Sequence, residues 1–128
     1  MAVVLDASAL LAFLNRETGW EKVETHLLSG EAVVNSVNIS EVATKLVMKG
    51  MASADAERHC RSMGLGIVAA DAEHAFMAAA LAPSTSPLGL SLGDRYCLVT
   101  AMRLGAVAVT ADRQWANLAS GPKIEVIR

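Results

Sequence analysis

Residues 90–112 carry the feature that narrows the fold most: a capped helix, a glycine stop, a strand buried on both faces, and an acid just beyond that strand. Ser91 stands as the N-cap, with Asp94 three residues on in the place of a capping-box acid. Gly105 supplies the C-cap. Val107-Ala108-Val109 has no polar residue, as expected of a strand that helices cover on both sides of a parallel sheet. Asp94 falls on the helical stripe Asp94, Leu98, Ala101, Gly105, which is otherwise small or apolar. A carboxylate on such a stripe needs a partner, because an unpaired buried charge is expensive. Asp112 lies past the carboxyl end of the strand, the edge where open α/β sheets bind ligands.

The same punctuation recurs along the chain. Ala2 to Leu5 is a short apolar strand, followed by Asp6-Ala7-Ser8 and a helix through Leu14. Taken alone, Asp6 is an ordinary helix N-cap. Gly19 to Leu28 forms a second helix that buries Trp20, Val23 and Leu27, with His26 as a packing or surface residue beside them. Glu31 to Asn35 is the next strand. Asn38-Ile39-Ser40-Glu41 opens a third helix that runs to about Lys49, with Asn38 and Glu41 at capping-box spacing. Its apolar stripe leaves Glu41 about 160° away, so periodicity alone makes Glu41 a solvated residue paired with Lys45.

A helix over 52–63 capped by Ser53, a strand at 67–69 and a helix from Asp71 to about Leu81 follow. That last helix holds His74, a second packing histidine. Pro83 to Gly89 has the composition of a loop. A short helix at 113–118 and a strand at 123–127 close the chain. The expectation is one α/β domain over residues 1–128: a central, mostly parallel sheet of four to five short strands flanked by helices. Such a sheet collects Asp6, Asp94 and Asp112 at one edge, with Glu41 joining from the third helix.

Composition excludes several classes. No apolar run approaches a membrane span, and Asp6 rather than a basic leader precedes the apolar residues 7–14, so neither membrane insertion nor a signal peptide is expected. Cys60 and Cys97 are isolated, without zinc spacing, which fits a reduced, cytoplasmic setting. The net charge of −2 argues against a broadly basic surface. With four of the 13 acids set aside in one site, nine remain against 11 Lys and Arg, a balance of +2 that permits a phosphate-bearing partner.

Carboxylates gathered at one rim cannot stay bare. Two unit charges ~4 Å apart repel by ~4 kcal/mol at an effective dielectric of 20. Three or four such pairs would exhaust a domain stability of ~5–15 kcal/mol. The group must share protons or hold a cation, and oxygen ligands without His or Cys favour Mg²⁺ or Mn²⁺. Such a site suits phosphodiester hydrolysis. A phosphotransfer domain with Asp6 as nucleophile fits poorly: Ser8 stands where a phosphatase of that kind has a second Asp, and residues 110–115 offer no Lys.

Four segments together resemble the PIN-domain ribonucleases, specifically the VapC-type toxins of toxin–antitoxin pairs. They are Val4-Leu5-Asp6-Ala7-Ser8-Ala9, Asn38-Ile39-Ser40-Glu41-Val42, Leu90-Ser91-Leu92-Gly93-Asp94-Arg95 and Thr110-Ala111-Asp112-Arg113-Gln114-Trp115. The resemblance implies a Mg²⁺-dependent endoribonuclease, with Mn²⁺ able to substitute. It maps an acidic quartet onto Asp6, Glu41, Asp94 and Asp112, against the cap readings of Asp6 and Glu41. Asp6, Asp94 and Asp112 would hold the metal, and Glu41 would orient or deprotonate the attacking water. Ser8 and Thr110 match supporting hydroxyl positions, and Asn38 joins them as a supporting residue. Arg95 and Arg113, each beside an acid, are candidate RNA contacts. Implied partners are RNA, a cognate antitoxin and a second copy of the chain. Leu10, Phe13, Leu14, Trp20 and Val23 could line an antitoxin groove, though ordinary core explains most of them. A PIN-like module that only binds protein or RNA is the alternative function.

Overall fold

The computed structural model describes residues 2–128. Five strands form one sheet in the order β3-β2-β1-β4-β5, every pairing parallel. They are β1 (Val3–Leu5), β2 (Ala32–Asn35), β3 (Gly66–Val68), β4 (Val107–Thr110) and β5 (Ile124–Val126). Seven α-helices lie among the described residues: α1 (Ala7–Asn15), α2 (Trp20–Leu28), α3 (Ser36–Met48), α4 (Ser53–Ser62), α5 (Ala72–Ala80), α6 (Ala82–Thr85) and α7 (Leu92–Leu104).

The central strand β1 shows how the layers arise. Side chains on a strand alternate between faces. Val3 and Leu5 enter a cluster with Ala9, Leu10, Val23 and Val42, drawn from α1, α2 and α3. Val4 enters a second cluster on the other face, with Cys97, Leu98 and Ala101 of α7 and with Trp115. The strand is therefore apolar throughout because both faces are covered. Leu10 and Val23 are fully buried in the first cluster and belong to the core. Phe13 and Leu14 pack against that cluster, and Trp20 stacks under the Arg16 guanidinium, 4.3 Å from the ring centre.

A parallel sheet brings all its carboxyl ends to one rim, and helices start there. Asp6, Asn35 and Asp112 each follow or end a strand and cap what comes next, accepting from the amides of Ala9, Val37 and Gln114. Ser91 and Asp94 form the expected capping box on α7, and Gly105 ends that helix at φ 62°.

Four local expectations change. The cap of α3 is Asn35, not Asn38: β2 runs into the helix with no loop, which moves the start three residues earlier and puts Asn38 inside the first turn. Ser53 is the first residue of α4 rather than its cap; Ala52 holds that place without a side-chain bond. Residues 82–88 are not a loop but α6 and a 3-10 turn, Ser86–Leu88. Pro83 and Pro87 are each the second residue of those turns, within the opening positions whose N–H has no partner in the turn, so a missing N–H costs nothing. Residues 113–117 form a 3-10 turn.

Candidate active site

Asp6 is the deepest acid of the rim, 2% exposed. Three donors fix its carboxylate. Thr110 Oγ1 reaches Oδ2 at 2.6 Å, Ser8 Oγ reaches Oδ1 at 2.8 Å, and the Ala9 amide reaches Oδ1 at 2.8 Å. Each hydroxyl in turn accepts a backbone amide: Ser8 Oγ from Ala111 at 2.9 Å and Thr110 Oγ1 from Asp112 at 3.0 Å. A hydroxyl has one proton to give. With the amides behind them as donors, both hydroxyls direct that proton at Asp6. The segment carrying Asp112 is thereby tied to Asp6 through two short relays.

Burial pushes the Asp6 carboxyl up to about 6, with the charge of Asp94 adding to it; the three donors oppose the rise. Asp94 is half-buried in the first turn of α7, where its Oδ2 accepts from the Ser91 amide at 2.8 Å. Burial raises Asp94 as well, and the negative charge of Asp112 raises it further. Glu41 is raised by burial first and then by Asp94, against the Asn38 hydrogen bond and the Lys45 charge. Asp94 therefore stands electrically between the other three acids. Cys97 lies one turn below it, fully buried, and its thiol is held far above its ordinary range by burial and by Asp6, Asp94 and Glu41. A thiol kept protonated in this way is no metal ligand.

Glu41 comes from the far side. It projects from α3 toward the start of α7, and a Cβ on Gly93 would lie 2.4 Å from its Oε1 and 2.7 Å from its Oε2. Only a residue without a side chain leaves room for that carboxylate. Asn38, 1% exposed, donates from Nδ2 to Glu41 Oε1 at 3.1 Å and to the Gly93 carbonyl at 2.9 Å. Both amide hydrogens are thus used, and Asn38 Oδ1 is left buried without a donor. An unsatisfied group of this kind costs about 1–3 kcal/mol. Gly93 escaped the sequence reading, though a signal was present: glycine in a helix's first turn opposes helix propensity.

The remaining predicted residues are placed as follows. Asp112 is partly exposed and caps the 3-10 turn after β4. Arg95 Nη1 donates to the Ala78 carbonyl at 3.1 Å, tying α7 to α5, and Arg113 Nε donates to the Arg128 carbonyl at 3.3 Å. His26 contacts Glu125 at 3.1 Å, and His74 is buried within the Asp71 capping box. Neither histidine joins the acids.

The donor set fits a hard divalent cation: the groups are carboxylate oxygens, and those of Asp6, Glu41 and Asp94 are raised by burial and by neighbouring negative charge that a cation would relieve. Among the described residues, no three Asp, Glu, His or Cys side chains already stand close enough to grip one ion. Asp94 and Asp112 each have one oxygen held by a capping bond, so their second oxygens are the ones left to approach it.

The PIN domain model matches residues 3–121. The fold is also similar to solved structures. One is VapBC2 from Rickettsia felis, solved bound to a DNA fragment from its promoter, with TM-score 0.73, 16% identity and 98% of each chain covered. Another is DNA-bound VapBC from Salmonella typhimurium, with TM-score 0.74, 16% identity, and 100% of this chain and 99% of that one covered. A third is VapBC-1 from nontypeable Haemophilus influenzae, with TM-score 0.72, 13% identity, and coverage of 99% and 98%. A comparison with curated proteins finds no match. With the family model spanning nearly the whole sequence, the chain belongs to the PIN domain family.

Proposed function

We propose that this protein is a Mg²⁺-dependent endoribonuclease, with Mn²⁺ able to replace the ion, and that it acts as the toxin of a VapC-type toxin–antitoxin pair. One observation carries the proposal: at the carboxyl rim of the sheet Thr110 joins Asp6 to the Asp112 amide, while Glu41 from α3 is seated against Gly93, next to Asp94. The family adds support, since VapC toxins with this domain are nucleases in general.

In this proposal Asp6, Asp94 and Asp112 hold the ion, which when bound offsets phosphate charge and acidifies water. Ser8 and Thr110 keep Asp6 ionised and fixed in place. Glu41, which takes no part in the Asp6 relays, accepts the proton of the water that attacks the RNA phosphodiester. Arg95 and Arg113 each keep further guanidinium nitrogens beyond their carbonyl contact, and these are assigned to RNA phosphates.

An antitoxin and a second copy of the chain are the proposed partners, in the cytoplasm. No helix of the described residues is long and apolar enough to cross a membrane. Met48, 80% exposed, borders an apolar groove between α3 and α4 that includes Ile39, Ala43, Ala56 and Cys60. Exposed apolar surface of this sort supports a protein partner.

The test is cleavage of RNA by purified protein with Mg²⁺ and with chelator, for the parent and for Asp6→Asn and Asp94→Asn. The expected result is loss of cleavage and of growth arrest in both variants, with circular dichroism unchanged. Cleavage that survives in a carefully purified variant would count against the proposal. A non-catalytic PIN-like module is favoured only by the lack of a ready-made cage. Calorimetry with Mn²⁺ separates the two, because such a module would bind no ion.

A further inference from the structure

We infer that Asn38 and Gly93 are positioning residues that together seat the Glu41 carboxylate over the first turn of α7, so that Glu41 is held in place to take the water's proton. The inference deepens the nuclease proposal and rests on its assignment of Glu41.

Three observations converge. The Glu41 carboxylate occupies the space a side chain at 93 would fill, with all three of its terminal atoms within 2.7 Å of a Cβ built there. Asn38 Nδ2 bridges Glu41 Oε1 and the Gly93 carbonyl, joining the two walls of the seat. Its two neighbours are both acceptors, so the amide has one workable orientation, and that orientation leaves Oδ1 buried and unpartnered. A purely structural tether would be better made by a group that leaves nothing unsatisfied. An amide held in this way is the kind of local cost that persists where geometry matters to function.

The bridge also divides the labour within Glu41. Oε1 is held by Asn38, and Oε2 has no hydrogen-bonding partner of its own, which leaves it as the proton acceptor. Asp94 is likewise held at one oxygen, Oδ2 by the Ser91 amide, and in the nuclease proposal its second oxygen goes to the ion. A carboxylate fixed at one oxygen and open at the other is preorganised, and displacing such a group by ~1 Å can cost about 10²-fold in rate.

The experiment compares Asn38→Ala, Gly93→Ala and Glu41→Gln, and each of the first two combined with Glu41→Gln, using a fluorophore–quencher RNA hairpin. Crystal structures and Mn²⁺ calorimetry of the single variants accompany the kinetics. The expected result is a fall in kcat of about 10²-fold for Asn38→Ala and Gly93→Ala, with KM and Mn²⁺ affinity changed by less than about threefold. Neither change should lower kcat further once Glu41 is Gln, and crystal structures should show the carboxylate displaced. A carboxylate that stays over residue 93 in both variants overturns the inference, whatever the RNA shows. So does a full additional loss in the Glu41→Gln background. A parent that fails to cleave the hairpin sinks the nuclease proposal, and a fully active Glu41→Gln sinks the assignment of Glu41 as proton acceptor; either leaves the displacement as the measure of the seat.

Discussion

Thr110 Oγ1 donates to Asp6 Oδ2 at 2.6 Å while accepting the Asp112 amide at 3.0 Å, so one hydroxyl joins the ends of β1 and β4 and orients the acids beyond both. The bond is strongest while Asp6 is charged. Thr110→Val should destabilise the metal-free protein by about 1–3 kcal/mol at pH 8, the usual cost of removing a partner from a buried charged group. The loss should shrink at pH 4, where Asp6 is largely protonated, given a carboxyl raised to about 6. Urea unfolding at the two pH values measures the difference. Thr110→Ser should retain most of the parent's stability.

Asp6 itself should oppose folding at neutral pH. Its carboxyl rises from 3.8 unfolded to about 6 folded, chiefly by burial, so between those values the folded state binds more proton than the unfolded one. Stability from this group is fully present below about pH 3.8 and is lost as pH climbs through 6. A shift of that size corresponds to an upper value of about 3 kcal/mol. Asp6→Asn should therefore raise the unfolding midpoint of the metal-free protein at pH 7 and leave it nearly unchanged at pH 3.5. A midpoint that falls at pH 7 would show that the relays from Ser8 and Thr110 outweigh burial.

Gly105 offers a control that separates stability from chemistry. It ends α7 in the left-handed region, φ 62° and ψ 35°, with open space where a Cβ would go. Gly105→Ala meets no clash and should cost about 1 kcal/mol through backbone conformation alone. Its melting temperature should drop by several degrees. RNA cleavage below that temperature should match the parent.

Strands β1 and β2 were legible because each is a short apolar run closed by a residue that can cap a helix, at Leu5-Asp6 and Val34-Asn35. The α7 unit was legible for the same reason, down to the Ser91–Asp94 box. Periodicity failed at Glu41. It reports how far a residue lies from its own helix's apolar stripe, and Glu41 is exposed, as that angle suggests. It does not report what stands opposite, and here the opposite wall is Gly93 at the start of another helix. Only the four motifs taken together pointed Glu41 toward the acids. The Asn38 expectation failed for a related reason: spacing to Glu41 fits a capping box, but Asn35 reaches the free amides first and turns Asn38 inward. His74 is a packing residue as expected, and its additional part in the Asp71 capping box comes from local geometry that composition does not report.

Asp94 gives the sharpest test of the rim as an ion site. It is the residue whose charge the other acids share, raised by burial and by Asp112 while itself raising Asp6 and Glu41. An ion bound there should relieve all of these repulsions together. Mn²⁺ at a hundred times its dissociation constant should stabilise the parent by about 2.7 kcal/mol, and EDTA should reverse the gain. Asp94→Asn can keep the capping bond to Ser91 through its amide oxygen, so the helix survives while the ion loses a negative ligand. Thermal unfolding with and without Mn²⁺ should show the metal-induced rise vanish in this variant, with the metal-free midpoint equal to or above the parent's. An equal rise in both proteins would place the ion elsewhere and remove the electrostatic reason for four acids to share one rim.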